Sequence, residues 1–392
     1  MLVASPEVPQ SDVVIAGGGV IGTAIAWRAA LRGLSVTVID PGRGDAATEV
    51  AAGMLAPVSE SVFGEHDLLA LNLLAVARFP GFAAELEQAT GLLTGLRTEG
   101  TLAVAFDRGD HDRLRRLTAF RAGLGLQTRE LDARGCREME PFLAPGVYGG
   151  VLSVGDFSVD NRRYAAALGE GMRAAGVRTV RDRVVEVRTR DGTARGVRLA
   201  GASGTDTADC AAVVVAAGCW SSGVAGLPDP LRSAIRPVKG QLLRLRLPGA
   251  MPPVLRHTVR ATVRGAEVYL VPRADGEMIV GATSEERGPD LTVTAGAVHD
   301  LLHDAMSVLP VTSELILAET CAGLRPGTAD NGPIVGESGV PGLFVAAGHY
   351  RNGILMSPVT ADAVVSRLTG RQPAQEWAPF APDRFTAVAR PA

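Results

Sequence analysis

Near the N-terminus a continuous apolar run, Val13 to Ala16, is followed by three glycines. Apolar positions at helical spacing then extend through Leu31, and a second apolar run ends at Asp40. A short continuous apolar run is typical of a buried strand, and apolar positions three or four residues apart are typical of a helix. This part of the sequence therefore predicts a strand, a tight turn, a helix and a second strand.

The pattern changes in the middle of the chain. Residues 68–140 are charged and have apolar positions at helical spacing, which predicts an inserted helical cap. Residues 184–200 alternate around Asp191 and Gly192, which predicts a β-hairpin, and residues 211–218 form a continuous apolar strand. Each of these elements is also compatible with the plain core of an α/β domain.

Residues 234–283 form a second block of strand patterns. If Asp275 and Gly276 are the two central residues of a hairpin turn, Tyr269 lies opposite Ala282. Four residues would then share one face: Glu267, Tyr269, Ala282 and Ser284. Such a face is compatible with an ordinary half-buried sheet and equally with the wall of a pocket.

Length and charge narrow the class of protein. The chain has 392 residues, 46% of them hydrophobic, and a formal net charge of -3 at pH 7. This length suits two domains or one discontinuous two-domain unit. Because there is no basic surplus, we expect neither a nucleic-acid partner nor binding to an anionic membrane.

The cysteines and the N-terminus indicate the compartment. Cys136, Cys210, Cys219 and Cys321 are widely spaced and form no CxxC pair, so neither a metal site nor a disulfide framework is expected. The first ten residues lack the basic start of a signal peptide. We therefore expect a cytoplasmic protein with reduced thiols.

The glycines after the first strand predict a dinucleotide site. Gly17 and Gly19 would allow the backbone to approach a pyrophosphate, and Gly22 would allow the helix to pack closely on the strand. The helix N-terminus offers its amides to the phosphates, and Asp40 is placed to accept a ribose hydroxyl. This motif does not separate NAD from FAD, but the small, flexible segment 41–57 departs from the usual NAD pattern and favours FAD.

A second glycine-containing loop, "AAGHYRNGILMSP" at residues 346–358, follows the strand pattern of residues 342–348. Ser357 can cap a helix and Pro358 suits a first helical position, so we expect a helix to begin there. The positive end of its dipole could stabilise negative charge on a neighbouring ring.

Seven segments resemble one known family when they are taken in order across nearly the whole chain. They are "GGGVIG", "AAGM", "AAGCWS", "PVKGQ", "VGAT", "AGLRPGTAD" and "AAGHYRNGIL". The series resembles the glycine oxidase branch, of the ThiO type, of the D-amino-acid oxidase superfamily. The resemblance implies an α/β (α+β) fold in which a glutathione-reductase-type Rossmann FAD-binding domain is joined to a discontinuous antiparallel-sheet substrate domain.

The resemblance also implies domain ranges and a set of cofactor contacts. Residues 11–85, 146–228 and 318–385 would form the FAD-binding domain, and residues 86–145 and 229–317 the substrate-binding domain. FAD would be bound without a covalent link. The implied cofactor residues are Gly17, Gly19, Val20, Ile21, Gly22, Asp40, Pro41, Ala47, Thr48, Ala52, Gly53, Met54, Val184, Gly218, His349, Tyr350, Arg351, Asn352, Gly353, Ile354 and Leu355.

Three residues match the family's catalytic positions. Arg325 would bind the substrate carboxylate, since a guanidinium pairs with a carboxylate through two hydrogen bonds, and Tyr269 would assist it through its hydroxyl. Arg351 would face the substrate pocket. An internal ion pair is the alternative reading of Arg325.

The expected pocket wall differs from that of characterised glycine oxidases. Met54, Ser284 and Glu267 would line it. Ser284 and Glu267 stand where such enzymes can carry a methionine and a histidine, so the sequence predicts a smaller and more acidic wall. His349 belongs to the cofactor loop and is expected to be structural, and no residue stands out as a general base.

The implied reaction is oxidative deamination of glycine, and of small amines such as sarcosine or D-alanine, with O₂ as the acceptor. Glyoxylate, ammonia and H₂O₂ would form after hydride transfer from the neutral amine to flavin N5, in a homotetramer serving the thiazole part of thiamine. Three alternatives stay open: a sarcosine or D-amino-acid oxidase, an FAD-dependent dehydrogenase with another acceptor, and a non-catalytic FAD scaffold. Cys321 is two residues out of register for the covalent flavin link of sarcosine oxidases, and the "GEMIVGAT" strand lacks their lysine.

Overall fold

The secondary structure comes from a computed structural model that describes residues 8–42, 46–201, 207–249, 251–263 and 265–386. Its strands are β1 Val8–Ala16, β2 Val36–Ile39, β3 Met54–Leu55, β4 Thr101–Ala105, β5 Thr128–Asp132, β6 Gly149–Ser153, β7 Phe157–Ser158, β8 Arg178–Val180, β9 Val184–Arg190, β10 Thr193–Leu199, β11 Thr207–Val215, β12 Arg236–Arg246, β13 Thr258–Val263, β14 Ala266–Pro272, β15 Glu277–Gly281, β16 Ile316–Gly327, β17 Ile334–Glu337 and β18 Leu343–Ala347. Its α-helices are α1 Val20–Ala30, α2 Ala47–Val50, α3 His66–Thr90, α4 Arg108–Gly123, α5 Ala133–Met139, α6 Asn161–Ala174, α7 Asp229–Ala234, α8 Ala295–Val308, α9 Gly353–Leu368 and α10 Asp383–Thr386.

The first sheet contains the predicted strand, turn, helix and strand. Its order is β17-β18-β11-β1-β2-β8, with β10 pairing both β11 and β9. β1 pairs in parallel with β2 and with β11, and Val13–Ala16 is buried along its whole length. The continuous apolar run therefore covers both faces of a central parallel strand, as such runs do.

The hairpin predicted at Asp191 and Gly192 is present. Arg190 pairs with Thr193, which leaves a two-residue loop between β9 and β10. Asp191 and Gly192 have φ angles of 52° and 72°. Positive φ at both central residues is the requirement of a type I′ turn, for which Asp-Gly is a favoured sequence.

The second sheet has the order β16-β12-β15-β14-β13-β4-β6-β5. Its neighbouring strands are antiparallel except for β13 and β4, which run parallel. The twelve-residue β16 pairs along almost its whole length with β12, so Arg325 lies beside Val238. α8 packs on one face of this sheet, and the apolar core of this part of the molecule is formed by side chains of both.

The predicted register of the hairpin between β14 and β15 is wrong by one residue. Tyr269 pairs with Gly281 rather than with Ala282. The turn has three loop residues, because Arg273 N donates to Glu277 O and Gly276 takes the left-handed conformation at φ 86°. A three-residue hairpin loop typically ends in such a glycine, and the two-residue turn assumed from the sequence misplaces every later pair.

The segment predicted as a helical cap is only partly helical. It contains α3, α4 and α5, but β4 and β5 within it join the second sheet. Two further strands differ from the predicted domain ranges, since β6 and β16 pair in the second sheet although their residues lie largely in the ranges assigned to FAD binding. The ranges themselves stay a prediction.

In the described part of the chain, one helix, α3, is long and apolar enough to cross a membrane, judged by length and composition only. Leu71, Phe79 and Phe82 on it are fully buried, and it packs against α6 and α9. A mostly buried core helix passes the same test, so the helix is weak evidence for a membrane span. Within the described residues, none of the four cysteines forms a disulfide and no cluster of His, Cys, Asp and Glu has the form of a metal site.

Candidate active site

A cavity of about 1490 Å³ lies where the two sheets approach each other. Its lining joins the turn after β1 to the ends of β14 and β16 and to the loop after β18. Positions far apart in sequence, Gly17 and Arg351, therefore contribute to one continuous space. This arrangement accounts for two glycine-containing loops at opposite ends of the chain.

The turn after β1 is a backbone cradle. Gly17 has φ 111°, and a Cβ there would lie 2.5 Å from the carbonyl oxygen of Ala216. A Cβ on Gly22 would collide with the carbonyl oxygen of Gly17, so Gly22 permits the close packing of α1 on the turn. These two positions need glycine for the reasons that a dinucleotide-binding turn needs it.

Asp40 and Thr48 complete this end of the cavity. The Asp40 carboxylate accepts from Gly18 N at 2.6 Å and from Gly42 N at 2.7 Å, which fixes its orientation at the cavity wall. Val20 N donates to Thr48 Oγ1 at 3.0 Å, and the N-cap residue Gly19 supplies no side-chain cap. The glycine turn at the start of α1, the oriented carboxylate and the size of the cavity fit a dinucleotide such as FAD.

The loop after β18 is held against the strand that carries Arg325. Tyr350 N donates to Pro326 O at 2.9 Å, and Tyr350 has φ 49°. α9 begins at Gly353, so the prediction that Ser357 and Pro358 begin the helix is wrong: Pro358 lies inside α9 and Ser357 Oγ bonds Ile354 O and Tyr164 Oη. The helix N-terminus is therefore closer to the cavity than the sequence indicated.

His349 is buried at the base of this loop. Its Nε2 lies 3.0 Å from Thr360 Oγ1, and burial lowers its pKa to about 3. The imidazole is therefore neutral at physiological pH and its ring nitrogen is engaged. This geometry agrees with the expectation of a structural residue.

Arg325 lies over a strand position that has no side chain. A Cβ on Gly240 would lie 2.5 Å from Arg325 Cζ. Arg325 Nη1 donates to the carbonyl oxygens of Thr283 at 3.1 Å and Lys239 at 3.4 Å. Among the described residues the partners of Arg325 are these carbonyls and the Tyr269 hydroxyl rather than a carboxylate, so the alternative reading of Arg325 as half of an internal ion pair has no support in this geometry.

Tyr269 lies beside Arg325 in the cavity. A Cβ on Gly281 would lie 2.5 Å from the Tyr269 hydroxyl oxygen, so this glycine makes room for the phenol. Burial raises the pKa of the hydroxyl, and the nearby Arg325 opposes that rise. The hydroxyl stays protonated at neutral pH and can donate to an anion that Arg325 binds.

The expected pocket wall is present, but its charge differs from the prediction. Met54, Ser284 and Glu267 all line the cavity. Glu267 is half exposed and its carboxylate lies 3.3 Å from Arg113 Nη2 and 3.6 Å from Arg260 Nη2. Two guanidiniums therefore compensate the negative charge that the sequence suggested for this wall.

Most of the expected cofactor residues line the cavity, with three exceptions. Gly22 contacts the turn from behind, and Leu355 is buried in the core of the first sheet. Asn352 lines a separate small cavity of about 30 Å³ together with Asn72 and Asn331. Arg351 lines the main cavity, is exposed, and has its guanidinium 4.9 Å from the ring centre of Tyr350.

Sequence reasoning missed an ion pair in the cavity wall. Arg260 Nη1 contacts Glu60 Oε1 at 2.5 Å, and both side chains are 16% exposed. Burial by itself lowers the pKa of the Arg260 guanidinium. The negative charges of Glu60 and Glu267 raise it by more, so the pKa lies above its ordinary value. The two residues are two hundred positions apart and belong to no motif, so pattern alone offered no signal for the pair.

The comparisons with known proteins agree with this geometry. The family model for FAD dependent oxidoreductases matches residues 12–367. The chain belongs to the FAD dependent oxidoreductase family. The predicted cofactor, the α/β fold class and the resemblance to glycine oxidases are thereby confirmed, because a crystal structure of glycine oxidase from Geobacillus kaustophilus superimposes with a TM-score of 0.86 over 95% of this chain and 98% of that one.

Three relatives are similar to this chain over nearly its whole length. Glycine oxidase from Geobacillus kaustophilus is 36% identical over 94% of this chain and 96% of its own length. The bifunctional protein ThiO/ThiG of Synechocystis sp. is 34% identical over 97% of this chain but only 55% of its own length. The hydrogen cyanide synthase subunit HcnC of Pseudomonas aeruginosa is 30% identical over 95% of this chain and 96% of that subunit.

Proposed function

We propose that this family member is an FAD-dependent amino-acid oxidase that deaminates glycine. The observation that carries the proposal is the Arg325 guanidinium, which faces the cavity beside Tyr269 and has no carboxylate partner among the described residues. The similarity to glycine oxidase over 94% of the chain supports the same substrate class. A role in making the thiazole of thiamine is supported by the ThiO/ThiG relatives.

In this proposal the chain's own residues bind and orient the substrate. Arg325 pairs with the carboxylate, and Tyr269 donates a further hydrogen bond to it. Fixing the carboxylate directs the amine and the α-carbon of a two-carbon substrate toward the middle of the cavity. When bound, FAD accepts the hydride that leaves the α-carbon.

Three described titratable side chains of the cavity, His349, Glu60 and Glu267, are not placed as free general bases. His349 is buried and engaged by Thr360, and Glu60 is paired with Arg260. Glu267 is likewise compensated by two arginines. We therefore propose that the substrate reacts with its amine already neutral, so that no protein group has to remove a proton from it.

Glycine is the proposed substrate, and sarcosine and D-alanine are expected to react as well. A single methyl group is usually worth only about 1 to 3 kcal/mol of discrimination in a pocket. The exposed wall at Ser284 offers no bulky side chain against such a group. O₂ as acceptor, a cytoplasmic location and a homotetramer remain predictions.

A dehydrogenase that passes electrons to another acceptor is the second candidate. The observation that favours it is the 30% identity to a hydrogen cyanide synthase subunit over nearly the whole chain. A sarcosine or D-amino-acid oxidase would share the cavity and the carboxylate site. These candidates differ in products and preferred substrate rather than in the residues described above.

The test measures flavin bleaching and peroxide under air after separate additions of glycine, sarcosine, D-alanine and D-proline. Peroxide with glycine supports the oxidase, whereas bleaching without peroxide supports the dehydrogenase. The variant Arg325→Met should lose about 2 to 5 kcal/mol of carboxylate binding, which raises KM for glycine at least about 30-fold. An unchanged KM would contradict the assignment of Arg325, and a protein that does not take up FAD would contradict the proposal as a whole.

A further inference from the structure

Lys239 is the only lysine in the chain, and its side chain is fully buried. Its neighbour Gly240 lines the cavity. Because side chains alternate along a strand, Lys239 lies on the opposite face of β12. Its Nζ donates to Asp290 Oδ2 at 2.6 Å, and this hydrogen bond holds the pKa of the Asp290 carboxyl well below its usual range.

This ion pair belongs to a larger set of polar contacts that begins at the cavity wall, which Thr283 lines, and extends behind it. Gln241 Nε2 donates to Glu285 Oε1 at 2.7 Å, and Thr294 N donates to Gln241 Oε1 at 2.8 Å. Thr283 Oγ1 donates to Glu285 Oε1 at 2.6 Å. We call this set the back-face network; it consists of Lys239, Gln241, Thr283, Glu285, Asp290 and Thr294.

The back-face network holds the segment after β15 against β12. Lys239 and Glu285 exchange two backbone hydrogen bonds of 2.9 Å, and Thr283 N donates to Gln241 O at 3.1 Å. The ion pair with Asp290 fixes the far end of the same segment. A buried ammonium is costly unless it is paired, so loss of either partner should loosen this attachment.

The segment after β15 and strand β12 each supply one carbonyl that orients Arg325. Both carbonyls that accept from Arg325 Nη1 belong to residues of the back-face network, Thr283 and Lys239. A guanidinium has five N–H donors in a fixed fork, so the direction of Nη1 sets the direction of the donors left for a ligand. The positions of these two carbonyls therefore determine how Arg325 presents its remaining donors to a carboxylate.

We propose that Lys239 and Asp290 are positioning residues that orient the Arg325 guanidinium toward the substrate carboxylate. The inference rests on the proposed function, because it requires that Arg325 bind a carboxylate. Lys239 and Asp290 act from the back of β12 and do not line the cavity. Their effect on a ligand passes through Arg325.

The first experiment titrates acetate, a carboxylate of substrate length, into the FAD-loaded protein and follows the flavin absorbance. Lys239→Met and Asp290→Asn are expected to weaken acetate binding about tenfold, since misplacing a binding group by about 1 Å can cost as much as a hundredfold. Glu286→Gln is the matched control, because it breaks an exposed ion pair with Arg236 on the same segment. Equal acetate affinity in wild type and both variants would overturn the proposal.

A double-mutant cycle separates positioning from general destabilisation. If Lys239 acts through Arg325, Lys239→Met should lower kcat/KM for glycine in the wild type but not further in Arg325→Met. An equal fold-loss in both backgrounds would mean that Lys239 acts elsewhere, and would overturn the inference. Asp290→Asn repeats the cycle without removing the buried ammonium, and unfolding temperatures verify that each variant is folded.

The two levels of proposal fail differently. If wild-type protein binds acetate and the variants match it, the positioning role fails and the proposed function stands. If wild-type protein neither binds acetate nor oxidises glycine, the carboxylate site fails and the inference falls with it.

Discussion

Two glycines shape the proposed carboxylate site because they carry no side chain. Gly240 and Gly281 give space to the Arg325 guanidinium and the Tyr269 phenol, respectively. A glycine in a strand lacks side-chain packing and costs stability, so its presence indicates that another group needs the space. The site is therefore defined by two small residues as much as by its two polar ones.

Gly240→Ala should raise KM for glycine about 10- to 100-fold while leaving the unfolding temperature and FAD content nearly unchanged. The added Cβ would meet the end of a flexible side chain, which can move aside without disturbing the strand. Steady-state kinetics and thermal unfolding measure the two effects. Gly296→Ala on α8, where a Cβ meets nothing within 4 Å, serves as the control. A normal KM in Gly240→Ala would show that Arg325 does not need its present position.

Residue roles that depend on a motif could be predicted from sequence, and roles that depend on packing could not. Gly17, Asp40 and Arg325 lie in recognisable segments, and the structure places all three on the cavity wall. Arg260 and Glu60 lie in no such segment, because their pairing follows from the way β13 meets the loop after β3.

At the scale of elements, the segment between β3 and α3 depends on a buried carboxylate. Asp156 is fully buried, and its carboxylate accepts from Val58 N at 2.9 Å and from Ser59 N at 3.1 Å. Arg121 holds the same segment by donating to Ser59 O at 2.7 Å. Glu60, which pairs with Arg260 in the cavity wall, follows directly in this segment.

The free energy of unfolding should depend on pH through Asp156. Burial raises the pKa of this carboxyl to about 6, above its usual value near 3.8, while its hydrogen bonds oppose the rise. Its protonated form is therefore favoured by folding, so this contribution is complete below pH 4 and is lost as pH rises through 6. The shift corresponds to about 3 kcal/mol. Chemical unfolding of wild type and Asp156→Asn between pH 4 and 7 isolates the contribution, and parallel curves for the two proteins would contradict it.

Helices, strands and turns could be predicted from the sequence where a single local rule determines them. The apolar run of β1 and the Asp-Gly turn at residues 191–192 were predictable from local chemistry. The turn between β14 and β15 was not, since the same Asp-Gly pair here lies in a three-residue loop closed by Arg273 and Glu277. Likewise α9 begins at Gly353, five residues before Pro358, and the Ile354 carbonyl that Pro358 cannot bond accepts from Ser357 Oγ instead.

At the scale of the whole molecule, the engagement of His349, Glu60 and Glu267 by their partners predicts the pH dependence of the reaction. The kcat/KM for glycine should rise with pH until the substrate amine is deprotonated. His349 should not contribute, because burial lowers its pKa to about 3 and it is neutral throughout this range. Kinetics between about pH 6 and 10 test this expectation, and a flat profile would contradict the reaction of a neutral amine without a protein base.

The cavity wall is assembled from residues that are synthesised at very different times. Gly17 belongs to the first turn, whereas the wall that closes around it includes Ala216 and the loop ending at Gly353. At about 5 to 20 residues per second, a ribosome needs on the order of 20 to 70 s to travel between the two glycine-containing loops. During the first part of that interval, until Val215 has been added, β1 has no β11 to pair with. The cavity therefore predicts that flavin is captured only after the loop ending at Gly353 has been synthesised.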